Sequence, residues 1–555
     1  MKSEKQACIW QSLISLLIFS LMLPAMAQTV NVDEALINRN QPEREEWLKD
    51  AGFGMFIHFS FDSQLGMVIS HSMVGASEDY LDRFINVLPQ TFNPDEYSAK
   101  EIAVLAKLAG MKYIVLTTKH HSGFCLWDTE TTEFNIMQTP YGKDLVAEFV
   151  DATREQGLAV GFYYSPEDFW FLHTHNQTVR RRFPEPLPDE LMEEYVAYVE
   201  TQCTELMSNY GQVDVLFFDG GEGPLQEKAK EVSWGLQPNV LVTRGAIATP
   251  EQTVLGVTSD KPWEACVTMG TQWQYKPTND DYKSGARLIE ILIESRAKGG
   301  TLLLNVGPKP NGELPIEQEE RLREVAAWHF INQEAVQNVR PWIIPRERDI
   351  WFTRSKDGNT VYAYLTNQSD WPRGERREFV IGSVQATDQT EVNVLGQSGA
   401  VVEYQPEVDG QTYFEQKEDG LHVSCVRAHR IYNNHKWHNP IVLKLENVVP
   451  ALEPPAVQTV SAQVSSEGVV LSGEIIDTGD AKQVEVGFVY RPYAGFTEAL
   501  YTQPWQETEF KTLGETEAFT VTVPQLEGSN EYEYQAVLRH PKIEVQGDIQ
   551  RITVR

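Results

Sequence analysis

The feature that most constrains this 555-residue chain is an alternation of short apolar runs and longer amphipathic segments between about residues 45 and 340. The runs are almost continuously hydrophobic, as expected of parallel strands buried on both faces. The segments between them show helical spacing, and one begins with the capping box Ser98–Glu101. This repeat predicts a (β/α) barrel over residues 28–345, in which six clear strands instead of eight leave room for irregular closure. The six runs are Phe53–Phe59, Lys112–Thr118, Leu158–Tyr164, Val213–Asp219, Asn239–Thr243 and Thr301–Val306.

The pattern changes after a last predicted helix, Ile316–Gln337, to short apolar runs separated by turn residues. Such spacing is typical of antiparallel sheets. It predicts a C-terminal β-sandwich over residues 346–450, with Val401–Tyr404 as one of its strands. Three prolines between Pro450 and Pro455 indicate a linker. A second β domain of the fibronectin or immunoglobulin kind is expected over residues 456–555.

The N-terminus has the pattern of a cleavable signal peptide, residues 1–27. Lys2 and Lys5 are followed by the apolar run Leu13–Leu23 and by Ala25-Met26-Ala27, an A-x-A cleavage pattern. The run is shorter than the roughly 20 residues that span a bilayer, so no membrane span is expected. We therefore expect a periplasmic or secreted bacterial protein, with a retained N-terminal anchor as the weaker alternative.

Charge and cysteine content exclude several classes of partner. The formal net charge is −32, and an acidic surface repels phosphate backbones, so a nucleic acid is not an expected partner. The cysteines after the signal segment form no C-x-x-C pair, which indicates buried thiols and neither a disulfide framework nor a zinc site. They are Cys125, Cys203, Cys266 and Cys425.

Polar residues follow three of the predicted strands at their carboxyl ends, where the active sites of barrel enzymes are built. His58 ends the first strand, His120 and His121 follow the second, and Asp219 comes directly after an apolar run. Asp219 is the strongest catalytic candidate, although a turn or cap residue after a strand would have the same pattern.

Several motifs, in order along residues 45–340, resemble family 29 of the glycoside hydrolases, the α-L-fucosidases. No one of them is specific alone, but their order makes the resemblance strong. The matching segments are Trp47 with Gly54–His58, Ala109–Tyr113, Leu116–His121, Gly123–Trp127, Tyr163–Ser165, Asp214–Gly220, Trp263–Cys266 with Trp273 and Tyr275, and Leu303–Pro308.

The resemblance implies a retaining glycosidase that needs no metal or organic cofactor. Such an enzyme uses two carboxyl groups about 5–5.5 Å apart, one as nucleophile and one as acid and then base. Asp219 matches the family's nucleophile, and Glu264 matches the residue assigned as acid/base in many members. Glu222, Glu167 and Asp168 are competing carboxylates for the second role.

Further residues match sugar-binding positions of the family. These are His58, His120 and His121 for hydroxyl groups, Tyr164 and Arg244 as other contacts, and Trp273 as an aromatic platform. Tyr163 would replace Tyr164 if the strand register were shifted by one residue. A metal-dependent hydrolase that uses the histidines as ligands is an alternative, although such sites usually include a carboxylate.

Departures from the family pattern surround the expected sugar pocket. The stretch Ile69–Gly75 replaces a Glu-Trp pair, Ser122 replaces an Asp, and Phe217 replaces a Trp. His71 would suit a hydroxyl that fucose lacks, as in α-L-galactose. A non-catalytic carbohydrate-binding protein is a further alternative, and the oligomeric state stays open.

A basic run, Arg180-Arg181-Arg182, lies in the predicted third βα loop. It is either a solvated surface run or a site for a sulfate or uronate on the leaving-group side of the substrate, since guanidinium groups bind oxyanions in bidentate fashion. The family resemblance implies a fucosylated glycan as the partner, and the basic run leaves open whether that glycan is sulfated. His173 and His175 have metal-like spacing but no carboxylate or thiol beside them in sequence.

Overall fold

The computed structural model describes residues 37–181, 186–220, 223–368, 370–429, 438–493, 504–524, 526 and 531–554. The predicted signal peptide, residues 1–27, lies outside the described residues, as do Arg182 and Glu222. Among the helices that are described, none is long and apolar enough to cross a bilayer.

Seven parallel strands form the sheet of the first domain, in the order β5-β4-β3-β2-β1-β7-β6. The predicted barrel class is therefore confirmed, with one strand that the sequence analysis missed. That strand, β6, begins with a glutamate and ends with a threonine, so it lacks the apolar pattern of the others. The strands are β1 Phe53–Ile57, β2 Tyr113–Lys119, β3 Ala159–Tyr164, β4 Val215–Phe218, β5 Leu241–Val242, β6 Glu264–Thr268 and β7 Thr301–Val306.

Helices follow most of these strands and cover the outside of the sheet. The cap predicted from sequence is in place, since Ser98 Oγ accepts a hydrogen bond from the backbone N–H of Glu101. Asp144 and Ser284 cap two further helices. The described α-helices are α1 Pro42–Ala51, α2 Glu78–Asp82, α3 Ala99–Leu108, α4 Leu145–Glu155, α5 Phe169–Thr174, α6 Asp189–Asn209, α7 Pro224–Leu236, α8 Gly285–Ala297 and α9 Ile316–Val336.

The ring of strands is irregular between β5 and β6, which share no ladder. The chain that leaves β5 instead runs beside β6 and makes isolated parallel bridges, Ala248 with Trp263 and Glu251 with Cys266. Residues 244–263, which we call the closing loop, therefore complete the wall of the barrel at this point. Side chains on this loop are brought next to the carboxyl ends of the strands.

Side chains alternate between the barrel interior and the outer shell, as the pleat of each strand requires. An interior cluster contains Phe56, Tyr163, Phe217 and Cys266. Tyr164, next to Tyr163, packs in the separate cluster between strands and helices. This alternation decides which residues can reach the mouth of the barrel.

Two antiparallel β domains follow, as predicted. In the second domain a five-stranded and a three-stranded sheet share one apolar core, and the first of these strands begins at Val339, ahead of residue 346. Val401–Tyr404 is not a strand; Tyr404 adopts a left-handed backbone with φ of 63°, so this prediction is wrong. The second-domain strands are Val339–Glu347, Ile350–Ser355, Thr360–Leu365, Arg376–Ile381, Val384–Gln385, Glu391–Val394, Tyr413–Lys417, Gly420–Val426, Ile441–Glu446 and Val449–Pro450.

The third domain also has two sheets that enclose a single apolar core. It contacts its neighbours closely, since Ile543 packs into the core of the second domain and the Asp548 carboxyl lies against Gly256 of the closing loop. Its strands are Ala456–Ser465, Gly468–Asp477, Val484–Pro492, Gln506–Glu507, Lys511–Leu513, Ala518–Val523, Glu531–Arg539, Glu544–Gln546 and Gln550–Thr553. The four predicted thiols, Cys125, Cys203, Cys266 and Cys425, are all buried and unpaired.

Candidate active site

The carboxyl ends of the barrel strands bring together most of the residues expected to form a site. His58 follows β1, His120 and His121 follow β2, Asp219 follows β4 and Arg244 follows β5. These residues line one pocket because parallel strands end at the same edge of the barrel.

Asp219 has three polar partners in this pocket. The Tyr163 hydroxyl donates to its Oδ2 at 2.9 Å, Arg244 Nη1 donates to its Oδ1 at 3.0 Å, and His121 Nε2 lies 3.6 Å from Oδ2. Burial raises the pKa of Asp219, but the charges of Arg244 and His121 and the hydrogen bonds outweigh burial and hold this pKa below its usual range. The carboxylate is thus ionised at neutral pH and partly open to the pocket, as a nucleophile must be.

Each pocket histidine that follows a strand is fixed through its Nδ1 atom. The partners are Asn305 Oδ1 at 2.6 Å for His58, Ser70 Oγ at 2.8 Å for His120, and Ser165 Oγ at 2.7 Å for His121. The Nε2 atoms are therefore the ring nitrogens left for a ligand. Burial lowers the pKa of His58 to about 4 and that of His121 to about 3. Neutral imidazoles in fixed orientations can donate to or accept from the hydroxyl groups of a sugar.

Ser70 is a site residue that the sequence analysis named only as part of a divergent stretch. Its backbone N–H donates to Asp62 Oδ2 at 2.7 Å, and its φ of 60° places it in the left-handed region. Asp62 is fully buried, and burial raises its pKa to about 6. The Asp62–Ser70 contact holds the loop that orients His120. No local sequence pattern marks such a contact, because Asp62 lies in a different turn.

Tyr163, not Tyr164, reaches the pocket. The Tyr164 hydroxyl donates to Gln202 Oε1 at 2.8 Å, outside the strands, and its ring lies beneath Lys119. Tyr163 instead stacks on His120, with ring centroids 5.4 Å apart. The contact predicted for Tyr164 therefore belongs to Tyr163, one position earlier on the same strand, as the period of two along a strand requires.

Glu264 lies at the other end of the barrel. It is the first residue of β6, pairs in register with Thr301 at the start of β7, and accepts a hydrogen bond from Tyr113 at the start of β2. The carboxyl end of β6 is four residues further on, roughly 13 Å away at the rise of a strand. Its side chain is fully buried. The predicted acid/base role for Glu264 is thus contradicted by its position, because it cannot touch a sugar beside Asp219.

The buried Glu264 carboxyl gives a prediction about stability. Burial raises its pKa to about 7, whereas the ordinary value is 4.5. Between these pH values the folded protein keeps a proton that the unfolded chain releases, so the free energy of unfolding falls as pH rises from 4.5 through 7. The loss is about 3 kcal/mol at most. We expect Glu264→Gln, which is neutral at every pH, to gain thermal stability relative to the wild type between pH 5 and pH 8. Equal pH dependence of Tm in both proteins would contradict this.

Glu251, on the closing loop, is the second carboxylate that the structure places beside Asp219. Its Oε2 accepts from Arg244 Nη1 and Nη2, both at 3.1 Å. Asp219 Oδ1 contacts the same Nη1 atom at 3.0 Å, so the two carboxylate oxygens lie no more than about 6 Å apart. This limit fits the separation of about 5–5.5 Å in retaining glycosidases and is below the 6.5–9.5 Å of inverting ones.

Glu251 is not among the residues predicted from sequence. The available signal was its place on the chain between β5 and β6, where Glu251 and Asp260 are the two carboxylates. Which of them faces the pocket depends on the path of the closing loop.

Two aromatic rings complete the pocket. The half-buried Trp273 ring lies 4.8 Å from that of His58 and presents an apolar face, as expected of a platform. Phe217 packs under the Arg244 guanidinium, whose central carbon lies 4.7 Å from the ring centroid. This is the position at which the resemblance led us to expect a Trp. The smaller ring still supports the arginine that links Asp219 and Glu251.

The other competing carboxylates have structural partners. Asp168 forms a fully buried ion pair with Lys119 at 2.9 Å and caps helix α5. Glu167 is nearly buried and lies 3.5 Å from His121 Nδ1 and 3.6 Å from Arg181 Nε. Neither is placed to protonate a leaving group beside Asp219. The two histidines of the third loop contact different carboxylates: His173 lies near Glu78, and His175 lies near Glu194.

A cation is the alternative ligand for this pocket. His120, His121 and Asp219 each offer one atom, and these atoms lie within 4.8 Å of one another. However, a cation there would lie close to the Arg244 guanidinium, which already contacts Asp219. Like charges at this separation repel strongly in a buried site. The donor set therefore favours a neutral ligand with many hydroxyl groups over a metal ion.

Comparison with known proteins agrees with this geometry. A family model described as Alpha-L-fucosidase matches residues 24–334. Plasma alpha-L-fucosidase of Homo sapiens is 27% identical over 395 residues, covering 63% of this chain and 81% of the relative.

Two solved structures of fucosidases superpose on most of the chain. Alpha-L-fucosidase isoenzyme 1 from Paenibacillus thiaminolyticus has a TM-score of 0.59 and 28% identity, covering 73% of this chain and 98% of that one. The Thermotoga maritima alpha-fucosidase in complex with fucose has a TM-score of 0.56 and 25% identity, covering 73% and 99% respectively.

Proposed function

This chain belongs to the α-L-fucosidase family of glycoside hydrolases, and we propose that it is a retaining exo-α-L-fucosidase acting on terminal α-L-fucosyl residues. The observation that carries the retaining mechanism is the shared contact of Asp219 and Glu251 with Arg244. It keeps two carboxylates within the separation that double displacement requires.

In the first step, Asp219 attacks the anomeric carbon of the fucosyl residue while Glu251 protonates the departing glycosidic oxygen. This gives a fucosyl ester on Asp219. In the second step, Glu251 accepts a proton from a water molecule that attacks the same carbon, and free Asp219 is restored. Arg244 keeps Asp219 ionised before attack. It also compensates the negative charge that Glu251 acquires when it gives up its proton.

The remaining pocket residues would bind and orient the sugar. Neutral His58, His120 and His121 supply hydrogen bonds to hydroxyl groups through Nε2. Trp273 offers an aromatic face to the apolar side of the sugar, including the methyl group of a 6-deoxy sugar. A non-catalytic binding protein has no need of a second carboxylate on the Arg244 guanidinium that contacts Asp219, which favours an enzyme over that alternative.

The proposal is tested with 4-nitrophenyl α-L-fucopyranoside and the matching α-L-galactopyranoside, with and without a chelator. We expect hydrolysis of the fucoside, unaffected by the chelator, with the α-anomer of fucose as the first product by NMR. Release of the β-anomer would reject retention. Preference for the galactoside would keep the mechanism and change the sugar, and loss of activity with chelator would favour a metal-dependent hydrolase.

Tyr163 is expected to contribute to the rate through its hydrogen bond to Asp219. Tyr163→Phe should lower kcat/KM for the aryl fucoside roughly 10- to 100-fold, because hydrogen bonds to charged groups are worth more than neutral ones. Tyr164→Phe is the matched control, since it removes the neighbouring hydroxyl from a bond to Gln202 outside the barrel. Its rate should stay within about threefold of wild type. Similar rate losses in both variants would contradict the assignment of Tyr163 to the pocket.

A further inference from the structure

Arg181 is linked to the nucleophile by a short chain of side-chain contacts. Its Nε lies 3.6 Å from Glu167 Oε2, which lies 3.5 Å from His121 Nδ1, and His121 Nε2 lies 3.6 Å from Asp219 Oδ2. The Arg181 side chain is 45% exposed, whereas that of Glu167 is only 4% exposed. Arg181 therefore stands at the mouth of the pocket, above the wall that carries His121.

The contact with Glu167 does not use up the hydrogen-bonding capacity of Arg181. A separation of 3.6 Å is longer than a hydrogen bond, and a guanidinium has five N–H donors. Within the described residues, Arg181 donates no hydrogen bond. An oxyanion is the partner that the planar donor set of arginine fits best.

His71 approaches the same place from a different loop. Its ring centroid lies 5.6 Å from that of His121 and 6.1 Å from that of His120, and the side chain is half-buried. Burial and the nearby charge of Arg181 lower the pKa of His71. A neutral His71 can donate one hydrogen bond beside the arginine. Two loops thus bring a permanent cation and a neutral donor to one side of the pocket, on a chain with net charge −32.

The contacts of the two Asp219 oxygens indicate which part of a substrate would lie on the Arg181 side of the pocket. Oδ1 contacts Arg244, which also binds the proposed acid/base Glu251, so the leaving group lies on that side. Oδ2 contacts Tyr163 and His121, and Arg181 lies beyond His121. Arg181 therefore lies on the His121 side of Asp219, away from the proposed leaving-group side. This differs from the leaving-group side expected from sequence.

We propose that Arg181, with His71 beside it, binds a sulfate ester carried by the L-fucosyl ring itself. The inference rests on the proposed function, because it takes the sugar from that proposal. A 6-deoxy sugar has no carboxylate of its own, so esterification of a ring hydroxyl is the way for it to present an oxyanion to the arginine. The substrate class would then be glycans that end in sulfated α-L-fucose.

Binding of monosaccharides tests the inference independently of hydrolysis. Calorimetry would compare L-fucose with its 2-, 3- and 4-sulfates, using wild type, Arg181→Gln and the control Arg323→Gln. Arg323 is an exposed arginine on helix α9 that is paired with Glu319, so its loss changes the net charge equally. We expect at least one sulfate to bind wild type about tenfold more tightly than L-fucose, with the preference weakened by salt. Arg181→Gln should abolish that preference and Arg323→Gln should keep it.

Two results would overturn the inference: no sulfated sugar binds more tightly than L-fucose, or the preference survives Arg181→Gln. Thermal denaturation of both variants would show whether each is folded. If the proposed function itself were wrong, the result would be different. The aryl fucoside would then not be hydrolysed, whether or not sulfated sugars bound more tightly than L-fucose. Hydrolysis should show the same effect. The kcat/KM of a sulfated aryl fucoside, divided by that of the unsulfated one, should fall in Arg181→Gln by the same factor as the binding preference.

Discussion

Replacement of Asp219 by alanine is expected to lower kcat for 4-nitrophenyl α-L-fucopyranoside by roughly 10⁴-fold, as loss of a covalent nucleophile commonly does. The physical reason is that Asp219 is the carboxylate at the strand ends that is held ionised by Arg244 and still partly open to the pocket. Without it no fucosyl ester forms. The measurement is steady-state kinetics of the purified variant alongside wild type.

Sodium azide makes this test more specific. In Asp219→Ala, azide fits the space of the lost side chain and attacks the anomeric carbon directly, which gives β-L-fucosyl azide. Asp214→Asn is the matched control, because Asp214 lies just before the start of the same strand and contacts Arg44 and the backbone of Val160. It should keep most of the activity. Wild-type kinetics in Asp219→Ala would remove Asp219 from the mechanism.

Replacement of Glu251 by alanine should also lower kcat, by roughly 10²- to 10⁴-fold, the range for loss of general acid–base catalysis. The loss should be smaller for aryl fucosides with acidic phenols, whose departure needs little protonation, and larger for oligosaccharides. Because the base that activates water is also missing, the ester on Asp219 should accumulate and KM should fall with kcat. Azide then attacks the ester and gives α-L-fucosyl azide, the opposite anomer from Asp219→Ala.

Glu264→Gln is the control that separates the two glutamates. Glu264 is hydrogen-bonded to Tyr113 at the amino-terminal end of the barrel, so its replacement should leave the pH dependence of kcat/KM unchanged. Glu251→Ala should instead lower kcat/KM for oligosaccharides strongly, because the group that protonates the leaving oxygen is lost. If Glu264→Gln lowered kcat/KM as much as Glu251→Ala, the proposed assignment would be wrong.

Much of the fold was predictable because buried parallel strands and capped helices have strong local patterns. Six of seven barrel strands and the helices beginning after Ser98, Asp144 and Ser284 follow such patterns. Strand β6 was missed, because Glu264 at its start resembles a loop carboxylate. The acid/base assignment of Glu264 came from the family resemblance, and its place at the start of this strand contradicts it, since that end of the barrel is opposite the active site.

Residues of the candidate site could be predicted only where the end of a single strand places the side chain at the mouth of the barrel. Asp219, His58, His120 and His121 each follow an apolar run, and Arg244 follows β5 closely. The choice between Tyr163 and Tyr164 depended on register, because adjacent residues of a strand point to opposite faces. Ser70 had no local signal, Glu251 had only its place between β5 and β6, and Arg181 was marked only as part of a basic run. The contacts of all three join separate loops, which no local pattern specifies.

The sequence alone therefore determined the barrel, the two β domains after it, the family and the candidate nucleophile, because period, capping and motif order are properties of neighbouring residues. Tertiary structure decided that Glu251 meets Asp219 at Arg244 and that Arg181 lies on the His121 side of Asp219. Those facts depend on the path of the closing loop between β5 and β6 and on the contact between the first and third loops. Contacts between residues far apart in sequence are set by packing, which no local pattern specifies.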